Sequence, residues 1–334
     1  MEKYNKKKID PELRNEGLFG KSLPFIFSSK VILKLTNKLL HRSLQGKCRE
    51  KSITMEERWI IRKDGKKLRI CIYRPVKEIE EPLPGLLWIH GGGYATGMPE
   101  MDENFIKNFM QTVDCIVVSP DYRLSIEEPY PAALDDCYAA LLWMKHNADK
   151  LGVRSNQLMV GGDSAGGGLT AALTLYVRDK GNVNVAFQMP LYPMIDDRMT
   201  TESSKGNYVP VWNSDLNYKG WKYYLGNRFQ TEDVPKYAAP ARETDYSNLP
   251  PTCTFVGELE VFRDEATIYM EKLKEAGVDT YFKEYPACYH GFDQLVLESR
   301  VAKDATKFLL DTFRYATEHY FAEQPESKKQ HMEE

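Results

Sequence analysis

Gly161-Gly162-Asp163-Ser164-Ala165-Gly166-Gly167-Gly168 is the stretch that decides the fold. The apolar run Gln157-Leu158-Met159-Val160 precedes it and reads as a buried strand. Leu169, Ala172, Leu173 and Tyr176 follow it at helical spacing. Ser164 therefore stands at a sharp strand-to-helix turn inside Gly-x-Ser-x-Gly, the context a nucleophile elbow requires. Gly162 and Gly166 leave room beside the serine and tolerate the strained backbone of such a turn. The first N–H groups of the following helix would face any oxyanion formed there.

Working outward, strands and helices alternate. Arg58–Arg62 and Leu68–Tyr73 flank Asp64-Gly65 and read as a β-hairpin. Gly85–His90 is a short apolar strand, 102–112 a helix, and Cys115–Ser119 another buried strand. The next helix places Leu134, Tyr138, Leu141 and Leu142 on one face. A strand is expected at Val185–Met189. Thr252–Val256, Glu265–Ala276, Thr280–Tyr285 and a long helix over 299–321 resume the rhythm, with Gly277 ending the first of these helices. In the long helix Val301, Ala305, Phe308, Leu309 and Thr312 mark the buried face. This alternation argues for an α/β fold with a mostly parallel central sheet flanked by helices.

The rhythm breaks at Pro193. Residues 195–240 are rich in aromatics, Trp212 and Trp221 among them, and read as a helical insertion over the sheet edge. The expected organisation is a cap segment over 1–50, the core over 51–194 and 241–322, the cap insertion over 195–240, and a disordered tail over 323–334. Within the first segment, Lys30, Lys34 and Lys38 recur every four residues, with Val31, Ile32, Leu35 and Leu39 expected on the other side. That is an amphipathic helix, and its apolar face is expected to pack on the protein rather than lie on a membrane.

Composition narrows the function classes. Hydrophobic content of 42% and charge of 28% are those of a soluble globular chain. A net charge of −3 gives no reason to expect nucleic acid or an anionic membrane as partner. Residues 22–40 are too broken by lysine to insert stably in a bilayer. No signal-peptide pattern is visible, and the six cysteines form no C-x-x-C pair, so buried free thiols in the cytoplasm are expected. No H-E-x-x-H, P-loop or G-x-G-x-x-G pattern occurs, so neither a metal nor a nucleotide cofactor is expected. A homodimer is left open.

A serine nucleophile needs a base, a group that orients the base, and donors for the oxyanion. Of six histidines, His41, His146 and His319 sit alone in helical stretches, and His331 is in the tail. His290 follows a strand, in Cys288-Tyr289-His290-Gly291-Phe292, where open α/β sheets place their sites. The acid should lie between the serine and the histidine, after the strand Thr252–Val256. Glu258, Glu260, Asp264 and Glu265 qualify. Glu258 hugs the strand end, and Asp264 and Glu265 look like the start of a helix. Position alone does not separate Glu260 from Asp264. The donors are expected from Ala165 and from the loop His90-Gly91-Gly92-Gly93, whose consecutive glycines let N–H groups converge on one point. His90 itself is expected to shape that loop. Tyr94 and Trp212 are the candidate substrate-binding side chains.

Together these motifs resemble the hormone-sensitive-lipase-like (bacterial family IV) esterases of the α/β-hydrolase superfamily. His90-Gly91-Gly92-Gly93 and Gly162-Asp163-Ser164-Ala165-Gly166 match that family's two defining motifs. Asp121-Tyr122-Arg123-Leu124 and Pro129-Tyr130-Pro131-Ala132-Ala133-Leu134-Asp135-Asp136 resemble its D-Y-R-L and P-x-P-A-A-x-x-D stretches. Glu260-Val261-Phe262-Arg263-Asp264-Glu265 resembles its D-P-L-R-D-E segment, whose first residue is the family's catalytic acid. The resemblance carries that role onto Glu260, with Glu where Asp is usual. It spans roughly residues 55–315. It implies a helical cap and a cofactor-free serine esterase for short acyl chains, acetyl to hexanoyl. The cap aromatics offer faces for stacking on sugars, which would suit deacetylation of small or carbohydrate esters. The alternative is a non-catalytic ligand-binding protein on the same fold. Plant gibberellin receptors resemble the family but lack the catalytic histidine, which is present here.

Overall fold

Runs of aliphatic side chains with no alternation demand burial on both faces, and the strands that carry them lie mid-sheet. The computed structural model describes residues 5–325 apart from 16 and 78. Its sheet has eight strands: β1 (Ile53–Ile61), β2 (Lys67–Pro75), β3 (Leu83–Ile89), β4 (Ile116–Pro120), β5 (Val153–Asp163), β6 (Phe187–Leu191), β7 (Thr252–Gly257) and β8 (Thr280–Tyr285). Their order is β1-β2-β4-β3-β5-β6-β7-β8. β1 and β2 form the expected hairpin, with Gly65 at φ +77° in its turn, and β2 runs antiparallel to β4. Every other neighbouring pair is parallel.

Ten α-helices accompany the sheet among the described residues: α1 (Gly17–Ile26), α2 (Lys30–Leu44), α3 (Glu103–Thr112), α4 (Ala132–His146), α5 (Ala148–Leu151), α6 (Ala165–Lys180), α7 (Ser214–Leu225), α8 (Arg263–Glu275), α9 (Phe292–Leu295) and α10 (Arg300–His319). Trp88 on β3 is fully buried, with Phe105 and Phe109 of α3 at 4.8 and 5.0 Å, and Phe109 meets Phe313 of α10 at 4.9 Å. This aromatic chain seats two helices on the sheet. α6 packs on β5 and β6, and α4 packs on α6. No helix among the described residues is long and apolar enough to cross a membrane.

Parallel strands end on the same side. The loops after β3, β5, β7 and β8 therefore converge at one sheet edge, where open α/β sheets bind ligands.

Three expectations need correction. The apolar stripe of α2 does not pack on the protein: Val31, Leu35 and Leu39 face outward, and the buried residues are Leu33 and Asn37. Lysine and leucine share the same four-residue period here, so periodicity alone could not say which face turns inward. The stretch 195–240 is mostly irregular, with α7 as its α-helix. The tail is anchored where described: Asn156 donates to Glu323, Asn184 to the Glu323 carbonyl and Lys145 to that of Pro325. Its remainder, 326–334, lies outside the described residues.

Candidate active site

The turn at Ser164 is as tight as its glycines imply. Ser164 has φ +56° and ψ −117°, a conformation L-residues avoid and folded structures keep only where the surroundings enforce it. A Cβ at Gly162 would lie 2.4 Å from the Ile89 carbonyl oxygen, and one at Gly166 only 2.0 Å from it. β3 and the elbow thus touch through bare backbone. The Ser164 amide donates to the Leu191 carbonyl and its carbonyl accepts from the Met194 amide, so the end of β6 and the loop after it grip the turn from the other side.

His290 reaches the serine from the loop after β8. Its Nε2 is 2.8 Å from Ser164 Oγ, and its Nδ1 is 2.5 Å from Glu260 Oε2. All three side chains are buried. Glu260 also accepts from the Gly257 amide at 2.5 Å, which fixes its carboxylate at the Nδ1 edge of the ring. Tyr192 and Phe262 meet the imidazole edge-on, each at 5.0 Å, and hold its plane. The rival acids are engaged elsewhere. Glu258 accepts from the Ala287 amide, Asp264 from the Ser203 amide, and Glu265 from the Ile195 amide.

The glycine loop follows β3. Gly92 and Gly93 have φ +114° and +59°, and a Cβ at Gly92 would fall 2.0 Å from the Thr96 carbonyl oxygen. Among the described residues the N–H groups of Gly92, Gly93 and Ala165 have no protein acceptor. Free backbone donors beside a nucleophile are what an oxyanion hole consists of. The turn after the loop is held by a residue the sequence reading passed over. Buried Asn37 of α2 donates to the Ala95 carbonyl at 3.0 Å and accepts from the Thr96 hydroxyl at 2.6 Å. The available signal was an amide on the same helical face as Leu33. His90 stacks on Tyr122 at 4.2 Å, and burial pulls its imidazole down to about 4, so it is neutral. Tyr122 donates to the His90 carbonyl at 2.9 Å, and Arg123 forms paired bonds to buried Asp136. The D-Y-R-L and P-x-P-A-A-x-x-D stretches therefore brace the loop.

Three carboxyls missed by the sequence reading gather below the serine. Burial pushes Asp163 well above the usual carboxyl range, and the neighbouring Asp102 adds to this. Burial also raises Asp102 and Asp293 to about 6 each. Asp102 accepts from Trp88 Nε1 at 2.8 Å, and Asp163 Oδ2 would meet a Cβ on Gly91 at 2.5 Å.

A cavity of about 300 Å³ opens onto Ser164 and His290. Leu23 and Phe27 of the N-terminal segment and Trp212 of the insertion cover it. Trp212 meets Phe27 at 5.2 Å and lies 6.5 Å from the His290 ring. Tyr94 is not part of this lining. With φ +60° its side chain turns inward, donates to the Met194 carbonyl at 2.7 Å and stacks on Tyr224 at 3.9 Å. It ties the glycine loop to α7.

A profile of the alpha/beta hydrolase fold matches residues 86–294, which span the glycine loop, the elbow and His290. The chain belongs to the α/β-hydrolase family, in its hormone-sensitive-lipase-like branch. This hydrolase is 32% identical to the carboxylesterase NlhH of Mycobacterium tuberculosis over 68% of its own length and 72% of the relative's. It is 29% identical to an arylesterase of Saccharolobus solfataricus, over 85% and 92%. A solved bacterial heroin esterase superposes with a TM-score of 0.82 at 33% identity, covering 93% of this hydrolase and 98% of that chain. These relatives support an esterase function for the hydrolase. Among its described residues no group of histidine, cysteine or acidic side chains is arranged to hold a metal ion.

Proposed function

We propose that the protein is a serine carboxylesterase for short-chain acyl esters. The observation that carries the reading is the continuous chain Glu260–His290–Ser164, at 2.5 and 2.8 Å, beside unengaged N–H groups. Ser164 Oγ attacks the acyl carbon while His290 Nε2 takes its proton. The N–H groups of Ala165, Gly92 and Gly93 hold the tetrahedral oxyanion. His290 then protonates the departing alcohol, leaving the acyl group on Ser164. A water molecule, deprotonated by His290, attacks the acyl-enzyme, and the carboxylic acid leaves as the serine regains its proton. Glu260 keeps the His290 Nδ1–H tautomer and stabilises the imidazolium.

The cavity supports the chain-length preference. About 300 Å³ is at the small end for ligand sites and suits an acetyl to hexanoyl group with a compact alcohol. Trp212 offers a flat apolar face to the alcohol, which also fits acetylated sugars. The free, mostly buried cysteines fit a reducing, cytoplasmic setting.

The test is hydrolysis of p-nitrophenyl esters from acetate to palmitate by the wild type and Ser164→Ala side by side. Short-chain activity that vanishes in the variant is expected. Folded wild-type protein with no turnover of any ester would instead favour a ligand-binding protein on this fold.

A further inference from the structure

Helix α2 has two faces with different tasks. Its inward face carries Leu33 and Asn37, and Asn37 holds the turn after the glycine loop. Its outward face carries Val31, Leu35 and Leu39, which are 76%, 57% and 57% exposed. Spacing of four residues stacks them in one stripe. Core formation does not account for this stripe, because the helix already packs through its other side. Lys34, Lys38 and Arg42, all exposed, run beside it at the same spacing. Among the described residues only His41 of α2 approaches a carboxylate, at 3.9 Å from Asp121, and no acidic side chain pairs with Lys34, Lys38 or Arg42. Phe25 of α1 adds a further apolar side chain, 67% exposed, between pocket residues Leu23 and Phe27.

The charge distribution says what such a face would meet. Residues 1–50 contain twelve basic and five acidic residues, although the whole chain is net −3. Positive charge is concentrated at the end that carries the stripe. We propose that the outward face of α2 seats reversibly on an anionic lipid–water interface. Val31, Leu35 and Leu39 enter the boundary between headgroups and acyl chains, and Lys34, Lys38 and Arg42 meet the phosphates. A second copy of the chain is a poorer occupant. Three side chains in a row offer far less than the roughly 800 Å² per partner of a stable dimer. Seating of this kind puts the lipid surface about one helix diameter, roughly 10 Å, from the turn that Asn37 holds.

The experiment is flotation of the full-length protein with phosphatidylcholine vesicles, with and without phosphatidylserine, at low and high salt. Wild type is expected to float with the phosphatidylserine vesicles only, and high salt to release it. Lys34→Ala/Lys38→Ala should lower the partition coefficient about 30-fold, from roughly fivefold per basic side chain. Val31→Ser/Leu35→Ser should release it as well. Both variants alter exposed positions and should keep the wild-type circular dichroism and thermal transition. Absence of wild-type flotation, or equal flotation of wild type and both variants, would overturn the proposal. So would a dimer in sedimentation equilibrium that Leu35→Asp disperses, since a second copy would then cover the stripe.

Discussion

Asn37 and Thr96 share a 2.6 Å side-chain hydrogen bond that fastens the N-terminal helix to the turn behind the glycine loop. The same Asn37 amide holds the Ala95 carbonyl, and the amides of Ala95 and Thr96 both donate to the Gly92 carbonyl. The position of the Gly92 peptide thus depends on a residue far away in sequence. Asn37→Leu keeps the side chain's approximate size and removes both bonds. It should lower kcat about tenfold or more with little change in KM, because an oxyanion donor acts mainly in the transition state. Steady-state kinetics and the affinity of a tetrahedral boronate inhibitor check this, and the boronate should weaken by a similar factor.

Glu260 and Asp264 were inseparable by position, and their variants separate them by function. Glu260→Gln cannot hold the Nδ1–H tautomer in the same way and should lower kcat by about 10³–10⁴. Asp264 binds the Ser203 amide and Arg263 instead, so Asp264→Asn should keep near-wild-type kcat and lose about 1 kcal/mol of stability. Inactive Asp264→Asn with active Glu260→Gln would reverse the assignment.

Trp212 closes the pocket against Phe27, and its ring abuts Gly93. Trp212→Ala opens that wall. The chain-length optimum of p-nitrophenyl ester hydrolysis should move toward octanoate and longer, while acetate turnover falls as packing against the glycine loop is lost.

Burial pushes the Asp102 carboxyl up to about 6, against an ordinary value of 3.8. Between about pH 4 and 6 the folded protein therefore holds a proton that the unfolded chain has released. Stability from this group falls as pH rises through that window, because ionising the buried carboxyl opposes folding. Asp102→Asn can still accept from Trp88 and never ionises. It should be more stable than wild type at pH 8, by up to about 3 kcal/mol, and lose that advantage at pH 4. Thermal melts at the two pH values decide it.

The parts of this site that are readable in the sequence are those tied to local backbone geometry. Gly162, Ser164 and Gly166 announce a turn that few other sequences form, and His90–Gly93 and His290 each follow a recognisable strand. Glu260 was harder, because four acidic residues follow the same strand and differ only in which distant amide each one meets. Tyr94 adjoins the glycine loop in sequence, yet its positive φ turns the ring toward Met194 and Tyr224. The orientation of α2 rested on burying a polar Asn37 in preference to three aliphatic side chains. No periodicity argument anticipates that, since the partner carbonyl and hydroxyl lie about sixty residues away.

The Ile89 carbonyl passes so close to Gly162 and Gly166 that no methyl group fits between them. Ile89 pairs with Gly162 in the sheet register, so this closeness exists in only one alignment of β3 against β5. A slip by a single residue would bring a different peptide against the elbow and leave the serine unaligned. Under the proposed reading, turnover by Ser164 would therefore serve as a check on assembly: a chain that hydrolyses ester would already have matched its central strands correctly, and a misregistered one would stay silent however compact it is.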